Sequence, residues 1–228
     1  MKKFSGILAI LALFAISACN SGPKGKKSET GDAMKSASSN ADATTYTLIT
    51  DESVMKWQGA KPTGEHNGTV DFARGFLKVA DGELVGGTIM VNMKSIDNVD
   101  LRDSPEYHTK LVNHLKSKDF FDVNSYPEAL FEIIRVEEIE NPETVDGITP
   151  THKITGNLTI KGISKSIAFD AMIESGSEEL YAVTPQFVID RTQWDVNYKS
   201  KKIFDNLKDQ FINDEVGIII ELNAKERS

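Results

Sequence analysis

The sequence predicts an all-β fold, a sheet of about nine antiparallel strands that closes into a barrel or splits into a sandwich. Three observations predict it. Apolar and polar residues alternate with period two along most of residues 46–228, short turn sequences separate the alternating runs, and a clear helical period occurs in one inserted region. Such alternation is typical of sheets with one dry face and one wet face, the antiparallel arrangement.

Each strand is assigned from an alternating run bounded by turn residues. The Asp81–Gly82 step is a strong hairpin signal, Gly162 marks a second turn, and residues 145–150 separate another pair of strands. The predicted strands lie near residues 46–50, 54–60, 68–79, 84–93, 128–140, 152–161, 164–173, 180–189 and 215–224.

The same alternation predicts which side chains share the dry face of each strand. The residues assigned to it are Val85, Ile89, Val91, Met93, His152, Ile154, Gly156, Leu158, Ile160, Tyr181, Val183, Phe187, Ile189, Val216, Ile218, Ile220, Leu222 and Ala224.

Residues 104–118 predict one α-helix inserted between strands. Ser104 is placed as N-cap with Pro105 at the first helical position. The apolar stripe of this helix comprises Tyr107, Leu111, His114 and Leu115. The helix exit then delivers Phe120 and Phe121 onto the end of the sheet, before Pro127 forces the chain into an extended strand. A short second helix is predicted over residues 202–208.

The first 45 residues divide into a signal and a tether. Residues 1–18 contain a positive start and the ten-residue apolar run Ile7–Ile16, which is too short to span a bilayer. "ISAC" resembles the lipobox of bacterial lipoproteins, which implies cleavage before Cys19 and its acylation. Residues 19–45 are rich in small and polar residues, so we expect a flexible tether, leaving residues 46–228 as one domain.

Charge and cysteine content exclude several function classes. The net charge is −8, and residues 1–45 carry +3, so residues 46–228 carry −11. A domain this acidic lacks the basic footprint that nucleic-acid binding requires. Cys19 is the only cysteine, so no internal disulfide can form. The sequence has no G-x-S-x-G elbow, phosphate-binding loop or H-E-x-x-H motif.

The candidate binding residues are large or polar side chains predicted to face a barrel interior. A barrel of about eight strands has an interior that side chains just fill or that holds one small ligand. His114 is interpreted as a buried histidine with one hydrogen-bond partner, or as a polar contact for a ligand head group. The predicted ligand-binding set is Trp57, His66, Phe72, Phe76, His114, Phe120, Phe121, Phe131, Phe169 and Trp194.

Two further charged features bear on the function. The basic cluster at 198–202, "YKSKK", is a wet turn or, if it borders a cavity, an attractor for a phosphate or carboxylate head. The four histidines are poorly spaced to share a metal ion, so we expect no metal site and no catalytic residues.

Four stretches together resemble the YceI-like polyisoprenoid-binding family of bacterial envelope proteins. They are "HNGTVDFARGFLKV" at 66–79, "HLKSKDFFDVNSYPEALFE" at 114–132, "ITGNLTIKGISKSIAFDA" at 154–171 and "FVIDRTQWDV" at 187–196. The resemblance implies a lipocalin-like antiparallel barrel with a packed helix, and an isoprenoid chain or similar long amphiphile in its lumen. It also implies a periplasmic, non-enzymatic protein, and we expect no cofactor. The lipoprotein anchor at Cys19 and the tether depart from the simple secretion signal of many relatives, and they fit a carrier held at a membrane surface.

Two other classes stay open. One is a lipid-free envelope interaction or stress-response module with a solidly packed barrel, and the other is a hydrolase with an unrecognised site. The sequence does not decide between a polyisoprenoid, an isoprenoid quinone and a fatty amide as ligand, between the inner and outer membrane, or between a monomer and a homodimer.

Overall fold

The structure is a computed structural model that describes residues 22–35 and 42–227. It contains fourteen strands and the helix α1, Pro105–Lys116. The strands are β1 (Lys26–Lys27), β2 (Glu29–Asp32), β3 (Thr44–Leu48), β4 (Val54–Lys61), β5 (Gly64–Val70), β6 (Phe72–Ala80), β7 (Glu83–Asn92), β8 (Asp97–Asn98), β9 (Glu128–Glu138), β10 (His152–Ile160), β11 (Ile163–Ser175), β12 (Glu179–Val183), β13 (Phe187–Asp190) and β14 (Glu215–Glu226).

Eight strands close into an antiparallel barrel. Their order is β12-β11-β10-β9-β7-β6-β3-β14, and pairing of β12 with β14 completes the ring. Closure removes the exposed edges that an open sheet of this size would leave. The predicted barrel is therefore confirmed over the sandwich.

The two ends of the barrel differ. The helix α1 lies at the end that carries the Lys161–Gly162 turn, and we call this the α1 end. Here β14 pairs with β4, which pairs with β5, and β5 pairs with β8. His108 of α1 places Nε2 2.8 Å from Asp97 Oδ1 of β8, so the helix is tied to this side of the wall. The Asp81–Gly82 turn and residues 139–151 lie at the opposite end.

The prediction of a flexible tether over residues 19–45 is wrong for residues 26–32, because these residues are paired with the barrel. Strand β1 runs parallel to β13, and β2 runs antiparallel to β11. Between them Ser28 donates its N–H to Val188 O at 2.8 Å and its hydroxyl to Ala168 O at 2.8 Å. We call residues 22–35 the strap. Its polar composition does not prevent pairing, since ladder hydrogen bonds use the backbone. Cys19 and the signal lie outside the described residues.

Three predicted segments need correction. The strand predicted at 68–79 is divided between β5 and β6, and the strand at 180–189 is divided between β12 and β13 where Pro185 cannot donate to a ladder. The second helix predicted over 202–208 is replaced by turns, followed by a three-residue 3-10 helix, Lys208–Gln210.

The inserted helix is confirmed and ends at Lys116, two residues before its predicted end.

Three face assignments, those of Val85, Tyr181 and Val183, also change. A bulge pairs Lys78 with Gly86 and Val79 with Leu84, which leaves Val85 unpaired, so Leu84 faces the interior in its place. The break between β12 and β13 changes the alternation, so that Ala182 and Thr184 line the cavity in place of Tyr181 and Val183. Ser104 makes no side-chain cap, although Pro105 does begin α1. No helix in the described part of the chain is both long and apolar enough to cross a bilayer.

Candidate functional site

The barrel encloses an apolar cavity of about 840 Å³. This volume lies in the range of small-molecule binding sites. Inward-facing side chains of nearly every barrel strand surround it, and most of them are buried from solvent. The apolar wall includes Met55, Leu77, Leu84, Ile89, Val91, Met93, Ile133, Ile154, Leu158, Ile160, Ile167, Ala171, Phe187, Ile218, Ile220 and Leu222.

Three aromatic rings form a row along one side of the cavity. The ring centroids of Phe131 and Phe169 are 5.5 Å apart, and those of Phe169 and Phe187 are 4.5 Å apart in a stacked arrangement. Gly156 permits this row, because a Cβ at that position would lie 2.5 Å from the Phe131 ring. The β10–β9 register shifts at the same place, between Thr155 and Gly156.

Nine of the ten predicted ligand-binding residues border the cavity, and Phe76 does not. Phe76 lies on the outer face of β6 with 38% of its surface exposed. The register shifts between Phe72 and Arg74, which inverts the alternation, so that Phe72 and Leu77 both face inward. The sequence pattern carries no mark of this bulge. The nine that the structure brings together are Trp57, His66, Phe72, His114, Phe120, Phe121, Phe131, Phe169 and Trp194.

An aromatic cluster borders the cavity at the α1 end. The His114 ring contacts Phe120 and Tyr198 in edge-to-face geometry, with centroids 5.0 and 4.7 Å apart. Phe120 is buried, and Phe121 is half-buried beside it at a centroid distance of 6.5 Å. His114 Nε2 lies 2.9 Å from Asp119 Oδ2. His114 thus has the one predicted polar partner, although its side chain remains about one-third exposed.

Residues 195–214, which we call the mouth loop, form another part of this border. Tyr198, Lys199, Asp209, Gln210, Ile212 and Asn213 of the loop all line the cavity. Its return to the wall is fixed by a hydrogen bond from Asn213 N–H to Ala60 O at 2.9 Å.

Buried Arg191 holds the mouth loop in place, and the sequence analysis missed it. Its guanidinium donates to four backbone carbonyls, those of Val196, Tyr198, Ile212 and Asn213. Burial lowers the pKa of Arg191, while the charges of Asp214 and Asp190 act to raise it. The only sequence signal is one Asp-Arg pair that directly follows an apolar run.

Asp190 ties the same loop to the end of β13. Its carboxylate accepts from the backbone N–H and hydroxyl of Thr192 at 3.1 and 2.6 Å, and from Lys202 Nζ at 2.5 Å. Burial acts to raise the pKa of Asp190, but the bonds from Lys202 and Thr192 outweigh it and hold the pKa below its ordinary value. Lys202 belongs to the basic cluster predicted at 198–202, and its positive charge is thereby paired with a carboxylate of the protein itself.

The cations that border the cavity outnumber the carboxylates. Lys61, Lys110, Arg191 and Lys199 line it, together with the single carboxylate of Asp209. The three lysines have no ion pair within residues 22–35 and 42–227. A positive border on a strongly acidic domain attracts anions.

The histidines are dispersed, and each has its own carboxylate. His66 Nδ1 lies 2.8 Å from Asp100 Oδ2. At the opposite end His152 Nε2 lies 3.3 Å from Glu83 Oε2, and Glu138 brings a third potential ligand atom within 4.8 Å. This is the one grouping of three such residues in the described parts of the chain. Both carboxylates are exposed, and we interpret the group as an ion pair of His152.

Known proteins share this architecture. Residues 46–224 match the YceI-like domain family. A UPF0312 protein of Pseudomonas putida (strain W619) is 31% identical over 102 residues, 44% of this chain and 48% of its own length. The chain thus spans about half the length of the curated relatives it matches.

Two solved structures share the fold at low sequence identity. The alignment with the structure of Burkholderia cenocepacia BcnA includes 77% of this chain and 98% of the BcnA chain, with a TM-score of 0.58 and 17% sequence identity. The alignment with a polyisoprenoid binding domain from Saccharophagus degradans includes 80% of this chain and 98% of that domain's chain, with a TM-score of 0.54 and 10% sequence identity. At these identities the likeness concerns the fold alone.

Proposed function

The chain belongs to the YceI-like family, and from that premise we propose that it binds and carries or sequesters a prenyl-chain lipid in its barrel. The observation that carries the proposal is the apolar cavity of about 840 Å³ that the inward-facing side chains leave unfilled. Burial of a hydrocarbon chain there contributes about 25 cal/mol per Å² of apolar surface. A polyisoprenoid and an isoprenoid quinone supply a prenyl chain, whereas a fatty amide would supply an unbranched acyl chain in the same place.

A prenyl chain fits this lumen because of the wall chemistry. The Phe131–Phe169–Phe187 row and the surrounding aliphatic side chains offer flat and branched apolar contacts but few hydrogen-bond partners. The structural neighbour from Saccharophagus degradans is described as a polyisoprenoid binding domain, which supports the same ligand class here.

The head group is proposed to sit at the α1 end. Lys61, Lys110 and Lys199 border the cavity there, and His114 adds a partly exposed polar edge between Phe120 and Tyr198. A phosphate or quinone oxygen would accept hydrogen bonds from these donors.

The proposed role is binding without catalysis, at the cell envelope. The name of the structural neighbour from Saccharophagus degradans, a binding domain, supports such a role. The signal and lipobox-like sequence that end at Cys19 support acylation and attachment to a membrane with the barrel in the periplasm.

The decisive experiment identifies the bound molecule. The full-length chain, expressed in a bacterial host and purified, is extracted with organic solvent and the extract is analysed by mass spectrometry. Ala171 lines the cavity on β11, whereas Ala73 is exposed on the outer face of β6. We expect a prenyl lipid from the wild type and from Ala73→Phe, and much less from Ala171→Phe, provided that it folds as judged by circular dichroism. Absence of any amphiphile from the folded wild type would favour a lipid-free interaction module.

A further inference from the structure

The α1 end carries an exposed apolar pair at the tip of the mouth loop. Ile203 and Phe204 are adjacent in sequence, and 53% and 47% of their surfaces are exposed. They are held in position by bonds from both of their N–H groups to Ser200 O, at 3.2 and 2.9 Å, and Ser200 itself is fully buried. An ordered, adjacent pair of large apolar side chains in water is a sign of an interaction surface.

Lysines lie on the same loop as this pair and on the border of the cavity at the same end. Lys199, Lys201 and Lys208 belong to the mouth loop, and Lys61 and Lys110 line the same cavity. None of the five has an ion pair in the part of the chain that the structure describes. The mouth loop as a whole is neutral, with four lysines and four aspartates, but two of these aspartates, Asp195 and Asp214, have their own ion-pair partners. Among the charges without an ion pair, the five lysines are opposed by Asp205 and Asp209, which leaves a local positive excess on a domain of net charge −11.

The strap brings the N-terminal part of the chain to the same end. Gly22 is the first described residue, and a methyl group on it would lie 3.4 Å from Asn213 Nδ2 and 3.7 Å from Glu215 Oε2. Asn213 lines the cavity. Cys19, the proposed point of acylation, is three residues before Gly22, so the anchored part of the chain joins the described structure next to the mouth loop.

We propose that the mouth loop docks on the surface of an anionic phospholipid bilayer, with Ile203 and Phe204 inserted among the lipids and the lysines against the phosphates. Apolar insertion combined with lysine attraction is how amphipathic surfaces bind the membrane interface. This inference rests on the proposed function, because docking in this orientation opens the cavity toward the bilayer from which a lipid is taken or to which it is delivered.

The test uses the full chain with Cys19→Ser, so that one introduced cysteine can carry an environment-sensitive nitrobenzoxadiazole label. Asp205→Cys places the label beside the apolar pair. Val145→Cys places it at the opposite end of the barrel, on a residue that is 42% exposed. Vesicles of phosphatidylcholine mixed with phosphatidylglycerol are compared with vesicles of phosphatidylcholine alone and with no vesicles.

We expect a several-fold rise in emission from the label at 205 with the anionic vesicles, quenched by brominated acyl chains, and little change at 145. The rise is expected to fall several-fold with Ile203→Ser and Phe204→Ser together, and in the neutral vesicles. An equal response at 145, an unchanged response in the double serine variant, or equal binding to neutral vesicles would overturn the proposal. A rise without vesicles that grows with protein concentration would show that a second copy covers the pair, and would also overturn it.

The vesicles contain no prenyl lipid, so this result is independent of what fills the barrel. A folded chain that yields a prenyl lipid on extraction but does not dock retains the proposed function and loses this inference. A folded chain that docks but yields no lipid on extraction retains this inference and loses the proposed function.

Discussion

Trp194 and Leu158 join the base of the mouth loop to the barrel wall. The indole Nε1–H of Trp194 donates to the carbonyl oxygen of Leu158 at 2.9 Å, and Trp194 has no exposed surface. Trp194 also lines the cavity, so the same side chain closes part of the lumen and fixes the segment that leads into the loop.

Replacing Trp194 with Phe is expected to lower the free energy of unfolding by about 2–4 kcal/mol, because the Leu158 carbonyl loses its donor and the smaller ring leaves a void. Urea denaturation monitored by circular dichroism measures the change. Tyr107→Phe, at an exposed position on α1, is the matched control and is expected to stay within about 0.5 kcal/mol of the wild type. Equal losses in both variants would contradict the role assigned to Trp194.

A second prediction concerns Arg191. Its replacement by Met leaves four backbone carbonyls and the Asp214 carboxylate without their donor. We expect a loss of about 3–5 kcal/mol in unfolding free energy, as for other broken buried ion pairs, and faster amide exchange across residues 196–213 in hydrogen–deuterium exchange.

The control for Arg191 is Arg135→Met, which removes an exposed arginine paired with Glu137 on the outer wall. Exposed pairs of this kind contribute about 0–1 kcal/mol. If the two arginine variants had similar stability, or if exchange in the mouth loop were unchanged, Arg191 would not be the residue that holds the loop.

The strap offers a third prediction, through Gly25. This glycine has φ of +126°, and a Cβ there would lie 2.4 Å from the backbone oxygen of Gln186. Gly25→Ala is therefore expected to detach the strap from β13, since neither the backbone angle nor the contact tolerates a side chain. Hydrogen–deuterium exchange of residues 26–32 should rise several-fold.

Gly86→Ala is the control for the strap, because a Cβ on Gly86 meets nothing within 4 Å and its backbone angle is ordinary. Exchange of residues 26–32 should be unchanged in that variant. Rapid exchange of the strap in the wild type would instead mean that β1 and β2 do not pair with the barrel in solution.

The sequence predicts which side chains face the cavity only where the strands pair without a β-bulge. The assignment of Ile154, Leu158 and Ile160 to the cavity wall is confirmed, because β10 pairs with β11 along its whole length without interruption. Val85 and Phe76 were misassigned because β-bulges insert an unpaired residue, and bulges leave no trace in the alternation of side chains.

Other features depend on contacts that are distant in sequence. The partners of Arg191 are carbonyls up to 22 residues away, so its burial could not be read from the residues around it. The strap is held largely by backbone groups of β11 and β13, which composition does not encode. Phe120 and Phe121 were placed correctly at the barrel end, because the helix stop and Pro127 together fix where the chain turns.

The pH dependence of stability forms a fourth prediction. The pKa of Asp97 is lowered, first by its bond from Arg102, and hydrogen bonds also outweigh burial in lowering the pKa values of Asp100 and Asp190. Each depressed pKa stabilises the folded state above the ordinary carboxyl pKa, and that stabilisation is lost as the pH falls through the depressed value. Unfolding free energy is therefore expected to fall steeply below about pH 4.

Asp190→Asn should flatten this acid slope, measured by urea denaturation at a series of pH values. Asp205→Asn is the control, because Asp205 is exposed and has no ion pair in the described ranges of the chain. A slope that is the same in both variants would exclude Asp190 as a source of acid sensitivity.

The last prediction separates the binding role of the aromatic cluster from its packing. Phe121 lines the cavity but is only half-buried, so a charge there can reach water, whereas a lipid chain in the lumen would lie against it. Phe121→Asp is expected to reduce the lipid recovered from the purified protein several-fold, while the unfolding free energy falls by no more than about 2 kcal/mol. Phe76→Asp, on the outer face of β6, is the matched control and should retain its lipid. Because both variants introduce the same charge into the same barrel, a loss of lipid in both, or a collapse of the fold in Phe121→Asp alone, would assign Phe121 to packing and not to ligand contact.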